Sequence, residues 1–463
     1  MSAEGRFLTG STMGHVVRMT LTGAAGITFV FLVDAMNLFW VSLLGDARMV
    51  AAIGFAFAIQ FFSVSSGIGL MIAATVLVSR AIGAAQRSEA RAIAGSAMLI
   101  AFVVQAVMAA LVIGFRYDIL ELAGARGETL DLAARYLLMT LPSLVPMVVG
   151  MVGSGVLRAE GDGKRAMYIT LTAGTVSVFV DPVLIYYLAL GLDGAAIGLN
   201  ISRTVLMVMA LYFTTRVYDL VALPRLSRLA ADLRPYAAVA IPAILTQMAT
   251  PFGNYVLTTV LARFGDDAVA GWAVVGRLSV VAFGGIFSLA GAIGGIFGQN
   301  YGAGKFDRLA TTYRDAMIFC ICYTLVVWAI LFSVGDAVGR AFGLTPGGQE
   351  VLLAFTHIGA GGFLFTGAFF VSNAAFNALG RPTRATVLTW IREGALTWPV
   401  AVWLAGIAGA VGVIYAQALL GLVIGLVSAV WGWHFVRSID RVPVIAEPEL
   451  RRGWRDLNRF RRR

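Results

Sequence analysis

Gly265-Asp266 followed by Gly302-Ala303-Gly304 in the second half of this chain repeats Gly45-Asp46 followed by Gly83-Ala84-Ala85 in the first, and Gly380 repeats Gly161. The separation is 220 residues for the first landmark and 219 for the other two. Identity between the halves is otherwise weak, so the repeat rests on glycines in register at loop positions, where the chain has a turn to make. The polypeptide around them is 59% hydrophobic, with a mean hydropathy of +0.84. Together these features read as a duplicated membrane bundle, the plan on which many transporters are built, with the substrate site between the repeats.

A soluble domain carries about 25% charged residues. This chain carries 13% and still has a net charge of +10, so its charge is gathered outside a large apolar body. Apolar runs long enough to cross a bilayer lie near 16–44, 49–79, 91–115, 133–157, 165–190, 192–217, 235–264, 268–298, 311–335, 350–378, 384–405 and 408–437, six in each half. Several exceed the ~20 residues a crossing needs, which implies tilt or extension beyond the bilayer.

Of the 35 basic residues, 26 fall in the termini and even-numbered loops, 6 in the odd-numbered loops and 3 within helices. The excess of basic residues places both termini in the cytoplasm. The tail Arg451–Arg463 holds seven arginines, and such a juxtamembrane cluster is expected to attract anionic lipid rather than nucleic acid. No small-residue cleavage site follows a short apolar stretch, so a cleaved leader is not expected. Cys320 and Cys322 are two apart on a helix and point in different directions, as small core residues rather than a disulfide or metal pair.

The polar link 218–234 joins the halves and contains Pro224, Arg225, Arg228, Asp232 and Arg234. The expected organisation is a first lobe over 1–217, a cytoplasmic link over 218–234, a second lobe over 235–437 and a basic cytoplasmic tail over 438–463. An even number of helices per repeat makes the repeats parallel, related by an axis along the membrane normal.

Several motifs then fall into a known pattern. Val33-Asp34 before Leu44-Gly45, Gly83-Ala84-Ala85, Leu157-Arg158-Ala159-Glu160-Gly161, Val180-Asp181-Pro182 with Gly194-Ala195-Ala196-Ile197, and Gln299-Asn300-Tyr301-Gly302-Ala303-Gly304 together resemble the multidrug and toxic compound extrusion (MATE) family over nearly the whole chain. The resemblance implies an all-α integral membrane protein: twelve transmembrane helices in two six-helix lobes, V-shaped. It also implies an antiporter, not an enzyme, that exports small organic, often cationic, compounds against inward H+ or Na+. A bacterial cytoplasmic membrane, a monomer and no cofactor beyond the coupling ion are expected.

Ionisable side chains inside an apolar core are costly, which makes each a functional candidate. Here they are Asp34, Asp181, Arg203, Arg277, Arg392 and Glu393. Asp34 lies 16 residues beyond Arg18 and Asp181 lies 16 beyond Arg165, about 24 Å along each helix at ~1.5 Å per residue. The two carboxylates thus share one depth, with Asn37 one turn beyond Asp34 and Pro182 expected to kink the helix beside Asp181. Two carboxyls in a low-dielectric pocket disfavour double ionisation, as a proton-coupling site requires. Projecting Asp34 by 220 lands on Asn254, and matching Asp181-Pro182 to Trp398-Pro399 replaces the acid by Trp. The second lobe is therefore expected to hold a neutral version of the site.

In the family branch with a first-lobe acidic site, the resemblance pairs these two Asp positions with an Asn and a Thr. Here the Asn position is Ser177 and the Thr position is Leu199, with Asn200 adjacent. A Na+ site wants several oxygen ligands together, so these departures favour H+ over Na+. The acids of the NorM-like branch have no match in Thr246–Asn254 or Phe369–Asn373, which favours a DinF-like assignment.

Cation coupling is accordingly expected at Asp34, Asp181, Asn37, Ser177 and Asn200, and substrate contact among Arg203, Asn254, Arg277, Glu393, Met151 and Phe287. Arg203 reads as a counter-charge for Asp181, an anionic-substrate contact or a packing arginine bonded to carbonyls. Glu393 reads as a second proton carrier, a substrate contact or one half of a local ion pair. Aromatic and Met stripes at helical spacing mostly pack helices, and those lining a cleft suit flat lipophilic cations. A lipid-linked precursor flippase of the same superfamily would need a more basic cleft than three helix-borne arginines supply. A membrane enzyme would need convergent catalytic groups, whereas His15, His357 and His434 are scattered.

Overall fold

The computed structural model describes residues 5–224 and 226–439, and over these it is helical with short connections. In the first lobe the long helices are α1 (Thr12–Ser42), α2 (Arg48–Gly83), α3 (Arg87–Gly114), α4 (Gly127–Glu160), α5 (Gly163–Tyr187) and α6 (Gly191–Val217). In the second they are α7 (Arg228–Phe264), α8 (Asp266–Ala282 with Gly284–Gly302), α9 (Phe306–Ala341), α10 (Pro346–Ala378), α11 (Pro382–Trp390, Ile391–Leu396 and Thr397–Ala408) and α12 (Ala410–Arg437). Ten are long and apolar enough to cross a membrane, and α8, bent by 48° at Phe283, makes eleven. The remaining helix, α11, is made less apolar by Arg392 and Glu393 within its wide π-helical turn Ile391–Leu396. Pro182 does not break α5: the helix runs through it into a second wide turn, Val183–Tyr187.

The duplication is visible in the backbone. The loop glycines of the sequence repeat adopt left-handed conformations in pairs: Gly45 with φ 76° and Gly265 with 96°, Gly161 with 92° and Gly380 with 88°. Ala85, at φ 58°, takes the place of Gly304 at 69°. A residue at positive φ just past a helix lets the chain leave its last turn, so both halves place such residues at the same turns.

The lobes meet at the end of the bundle that carries the even-numbered loops, here called the basic end. There α2 crosses α8 backbone to backbone. A Cβ on Gly83 would lie 2.0 Å from the Gln299 carbonyl oxygen, and one on Gly302 would lie 2.1 Å from that of Arg80. Residues 83 and 302 are repeat-related, as are 80 and 299, so each contact is the image of the other. The hydrogen bonds obey the same rule. Gln299 Nε2 donates to the Ala159 carbonyl at 2.6 Å, and the Arg80 guanidinium donates to the Ala378 carbonyl at 2.8 and 3.0 Å. Residues 159 and 378 are again 219 apart, each in the last turn of its helix, where carbonyls lack intrahelical partners. Reciprocal contacts of this kind are what a two-fold axis imposes, and they place that axis through the α2–α8 crossing.

The seam continues where Gly69 of α2 meets the Ile244 backbone of α7 and where Gly23 of α1 meets Ser288 of α8. Every hydrogen bond joining the lobes among the described residues lies in this half of the bundle; none joins them at the opposite end. The lobes are therefore sealed at the basic end, which holds all of the hydrogen bonds between them among the described residues.

A segment ahead of the first apolar run completes the seal. Phe7 is 1% exposed; its N–H donates to Gln299 Oε1 at 2.9 Å, and its carbonyl accepts from Arg308 at 2.9 Å. Lys305 Nζ donates to the Leu8 carbonyl, and Arg6 stacks over the Tyr218 ring. Nothing in the polarity of residues 5–10 signals this insertion, because its partners are 200 to 300 residues away.

The expected polar link is shorter than 218–234. Its charged part is already helical by Arg228, because Arg228 pairs with Asp232 one turn on and with Glu89 of α3, while Ser96 Oγ donates to Asp232 at 2.6 Å. The basic tail expected to meet anionic lipid lies outside the described residues.

Asp162 caps α5 and accepts hydrogen bonds from Tyr218 Oη, from the Arg165 amide at 3.0 Å and from the Arg165 guanidinium at 2.6 Å. Burial pushes its carboxyl up, but these hydrogen bonds outweigh burial and hold it below the usual carboxylate range. A depressed carboxyl contributes stability that is present above its unfolded value, ~3.9, and is lost as the pH falls through the folded value. Asp162→Asn, which keeps a capping oxygen but removes the charge that Arg165 and Tyr218 bond to, is expected to cost about 1 kcal/mol at pH 7, the difference between charge-assisted and neutral hydrogen bonds, with the gap to the parent closing below pH ~4. Thermal unfolding of both proteins in detergent across pH 3–8 checks this.

Candidate functional site

Beyond the seam, α1 leaves α8 and runs against α5 and α6, and the first-lobe acids lie in this part of the bundle. Asp181 is 1% exposed. Its Oδ2 accepts from Ser177 Oγ at 2.7 Å, one turn back on α5, and from Asn37 Nδ2 of α1 at 2.9 Å. Its Oδ1 has no hydrogen-bond partner and rests on Gly198 of α6, where a Cβ would lie 2.0 Å away. One carboxylate thus joins three helices: through two donors on α1 and α5, and through close packing on α6.

Asp34, one turn before Asn37, is solvent-exposed within the bundle and accepts no hydrogen bond from the described residues. The charge acting on it is that of Arg203 on α6. Arg203 also donates to Gln60 Oε1 at 3.0 Å, Ser143 Oγ at 2.9 Å and the Thr140 carbonyl at 3.4 Å. The expectation that Arg203 counters Asp181 is corrected, since it is anchored on α2 and α4 and its field falls on Asp34. Tyr136, fully enclosed, lies within the electrostatic reach of Asp34, Asp181 and Arg203 together. It was not singled out in the sequence, and a tyrosine in an apolar helix carries no signal of this kind.

Asn200 does not join the acids. Its amide donates to the carbonyls of Ala196 at 2.7 Å and of Met139 at 2.9 Å, tying α6 to α4. Asp34, Asn37, Ser177 and Asp181 do come together. Met151 packs on Gly67 of α2, inside the first lobe, and Phe287 packs edge-on against Phe363 and Phe370 in the second. Arg277 and Asn254 are exposed.

The second lobe is not acid-free. Glu393 sits in the wide turn of α11, 3.5 Å from Arg392 Nε, and lies against Gly253 of α7, the neighbour of Asn254. The repeat projects Asp34 onto Asn254, which is neutral, whereas Glu393, singled out in the sequence as an ionisable residue in an apolar run, lies on the facing helix. Among the described residues no group of three His, Cys, Asp or Glu side chains is placed to hold a metal ion.

A family model described as MatE matches residues 24–183 and 242–403, the equivalent stretch of each lobe. An FAD transporter of Shewanella oneidensis is 25% identical over 427 residues, covering 90% of this chain and 94% of that protein. The multidrug export protein MepA of Staphylococcus aureus is 24% identical over 389 residues, covering 82% and 84%. Among solved structures, the outward-facing conformation of a multidrug resistance MATE transporter of the MOP superfamily superposes with a TM-score of 0.88 at 22% identity, covering 96% of this chain and all of that one. A mutant of the Vibrio cholerae MATE transporter VcmN gives 0.88 at 22%, covering 92% and 97%. At these identities the structures speak for the fold alone.

Proposed function

The chain belongs to the MATE family of multidrug efflux transporters, multi-pass membrane proteins, and from that premise we propose that it exports lipophilic organic cations in exchange for H+ by alternating access. The observation that carries the reading is Asp181, a buried carboxylate bonded to Asn37 of α1 and Ser177 of α5, with Asp34 one turn away. Ionised, Asp181 holds α1 to α5 through charge-assisted hydrogen bonds, which are about twice as strong as neutral ones. Protonated, it holds α1 more weakly, and the α1 face that carries Asp34 is free to repack and release a bound cation. The basic end is read as cytoplasmic from the excess of basic residues, so the sealed seam makes this the conformation open to the outside. A proton entering down its concentration gradient supplies ~1.4 kcal/mol per pH unit, which biases the equilibrium between the two states.

Na+ coupling is less well supported. Two carboxylates, one of them already taken by an amide and a hydroxyl donor, leave few oxygens for a cation that wants several.

The test is ethidium transport in proteoliposomes under an imposed proton gradient and, separately, a sodium gradient. Transport driven by the proton gradient alone is expected. Transport driven by sodium alone would replace H+ by Na+, and no transport under either would turn attention to substrates such as the flavin nucleotide named for the Shewanella relative.

A further inference from the structure

We propose that Glu393 is a second proton-exchange group, in the second lobe, so that one transport cycle takes up one proton in each lobe. The inference rests on the antiport reading above and adds its stoichiometry.

The repeat locates the group. Residue 393 is 219 beyond Gly174, and residue 253 is 220 beyond Val33. In the first lobe, Gly174 of α5 receives Phe29 and Val33 of α1, with a built Cβ 2.6 Å from the Phe29 ring and 3.0 Å from Val33. In the second lobe the glycine has changed helices: Gly253 of α7 now receives Glu393 of α11, and a Cβ there would lie 2.0 Å from Oε2. The same seam that is closed by an aromatic ring and a methyl in one lobe thus holds a carboxylate in the other, at the level of Asp34 and beside Asn254, its counterpart. Relocating the glycine makes the room the carboxylate occupies.

The surroundings are those of a proton carrier rather than of a structural ion pair. Three buried carboxylates of this chain are held by short donors: Asp181 by Asn37 and Ser177, Asp162 by Tyr218 and Arg165, and Asp315 by Thr12, whereas Glu160 has only Arg87 at 3.4 Å. Glu393 has one long contact, Arg392 Nε at 3.5 Å, and no further donor. Its side chain keeps 15% of its surface accessible. Arg392 is equally loosely held by Glu393: its guanidinium lies over the Phe369 ring at 5.3 Å and reaches Thr366 Oγ1 at 3.4 Å, contacts that support it when the carboxylate is neutral. Arg392 is also the one charged group that acts on Glu393. The helices packed against α11 present Gly253 from α7, Thr366 and Phe369 from α10 and Gly421 from α12. None of these titrates, so proton uptake at Glu393 is not shared with another acid or base. Both residues belong to the wide turn Ile391–Leu396, a helix irregularity that recurs at functional sites.

In the cycle, Glu393 takes up a proton when the cleft is open opposite the basic end, which ends its pairing with Arg392 within the wide turn of α11. It returns the proton, re-forming the pair, after the lobes have exchanged their seal. No bond other than O–H forms or breaks.

The experiment measures the reversal potential of ethidium transport in proteoliposomes at a fixed pH difference. Ethidium carries one positive charge, so two protons per ethidium make transport voltage-dependent and one proton makes it electroneutral. The parent protein is expected to show two and Glu393→Gln one, with proton-driven transport retained. Glu393→Asp, which keeps the proton but shortens the side chain, is expected to restore two. An electroneutral parent overturns the inference, and so does a Glu393→Gln protein that is slower but still exchanges two protons. Absence of proton-driven transport in the parent removes the antiport reading itself, an outcome distinct from either.

Discussion

Asp181→Asn is expected to reduce proton-driven transport at least tenfold, a change of about 1.4 kcal/mol or more in the driving step. The substitution keeps the shape of the side chain and removes only its charge. Oδ2 is filled by the Ser177 and Asn37 donors, and Oδ1 lies against Gly198 with no donor near it. An asparagine there directs its carbonyl at the two donors and its NH2 at Gly198, so the packing survives while the site is fixed in a neutral state. The helix contact that is proposed to strengthen and weaken in each cycle then stays weak. Asp34→Asn is expected to act in the same direction, by removing the charge that faces Arg203. The measurement is initial-rate ethidium transport at matched protein density, with ethidium binding measured alongside. Full proton-driven transport in either variant would show that the first-lobe acids serve packing alone.

Gly83→Val is expected to prevent the lobes from closing at the basic end. Its Cβ would lie 2.0 Å from the Gln299 carbonyl oxygen and 2.7 Å from the Gln299 Cα, and both are backbone that cannot rotate away. Relief requires the α2–α8 crossing to separate. The two-fold arrangement predicts that Gly302→Val, which meets the Arg80 carbonyl at 2.1 Å, has the same consequence. Gly54→Ala is the control, since a Cβ there meets nothing within 4 Å. With Cys320 and Cys322 replaced, spin labels at Lys164 and Thr383, repeat-related positions on either side of the seam, report the separation directly. A longer distance in both valine variants is expected, together with at least a tenfold fall in transport, because one of the two alternating states is no longer reachable. An unchanged distance would mean that the glycines serve helix packing within a seam that tolerates separation.

The two predictions draw on different layers of information. Asp34 and Asp181 were legible in the sequence because an ionisable residue in an apolar run has a large desolvation cost and little company, so position along the helix is enough to find it. The twelve-helix plan and its duplication were legible for a related reason: hydropathy is a local property, and a left-handed turn selects glycine wherever it occurs. Gly83 and Gly302 were seen only as turn residues. That they also form the crossing of α2 and α8 depends on where Gln299 and Arg80 arrive, about 220 residues along the chain.

The same limit explains the errors. Asn200 is next in sequence to the expected position of a coupling residue, yet helical rotation turns its amide to the Met139 carbonyl. Of the three readings of Arg203, the pairing with Asp181 gives way to anchoring on Gln60, Ser143 and the Thr140 carbonyl, because depth along a helix says nothing of the direction in which a side chain leaves it. Glu393 reads from the sequence as a proton carrier, a substrate contact or half of an ion pair, and its meeting with Gly253 appears only when α11 is laid on α7. By itself the sequence determined how many helices there are, which residues are too costly to bury without purpose, and that the halves are copies, because these follow from composition within a few turns of chain. Tertiary structure decided which face of each helix meets which partner, and hence the two-fold seam, the Asp181 cradle and the displaced acid of the second lobe, because contacts across hundreds of residues are set by packing that no local pattern encodes.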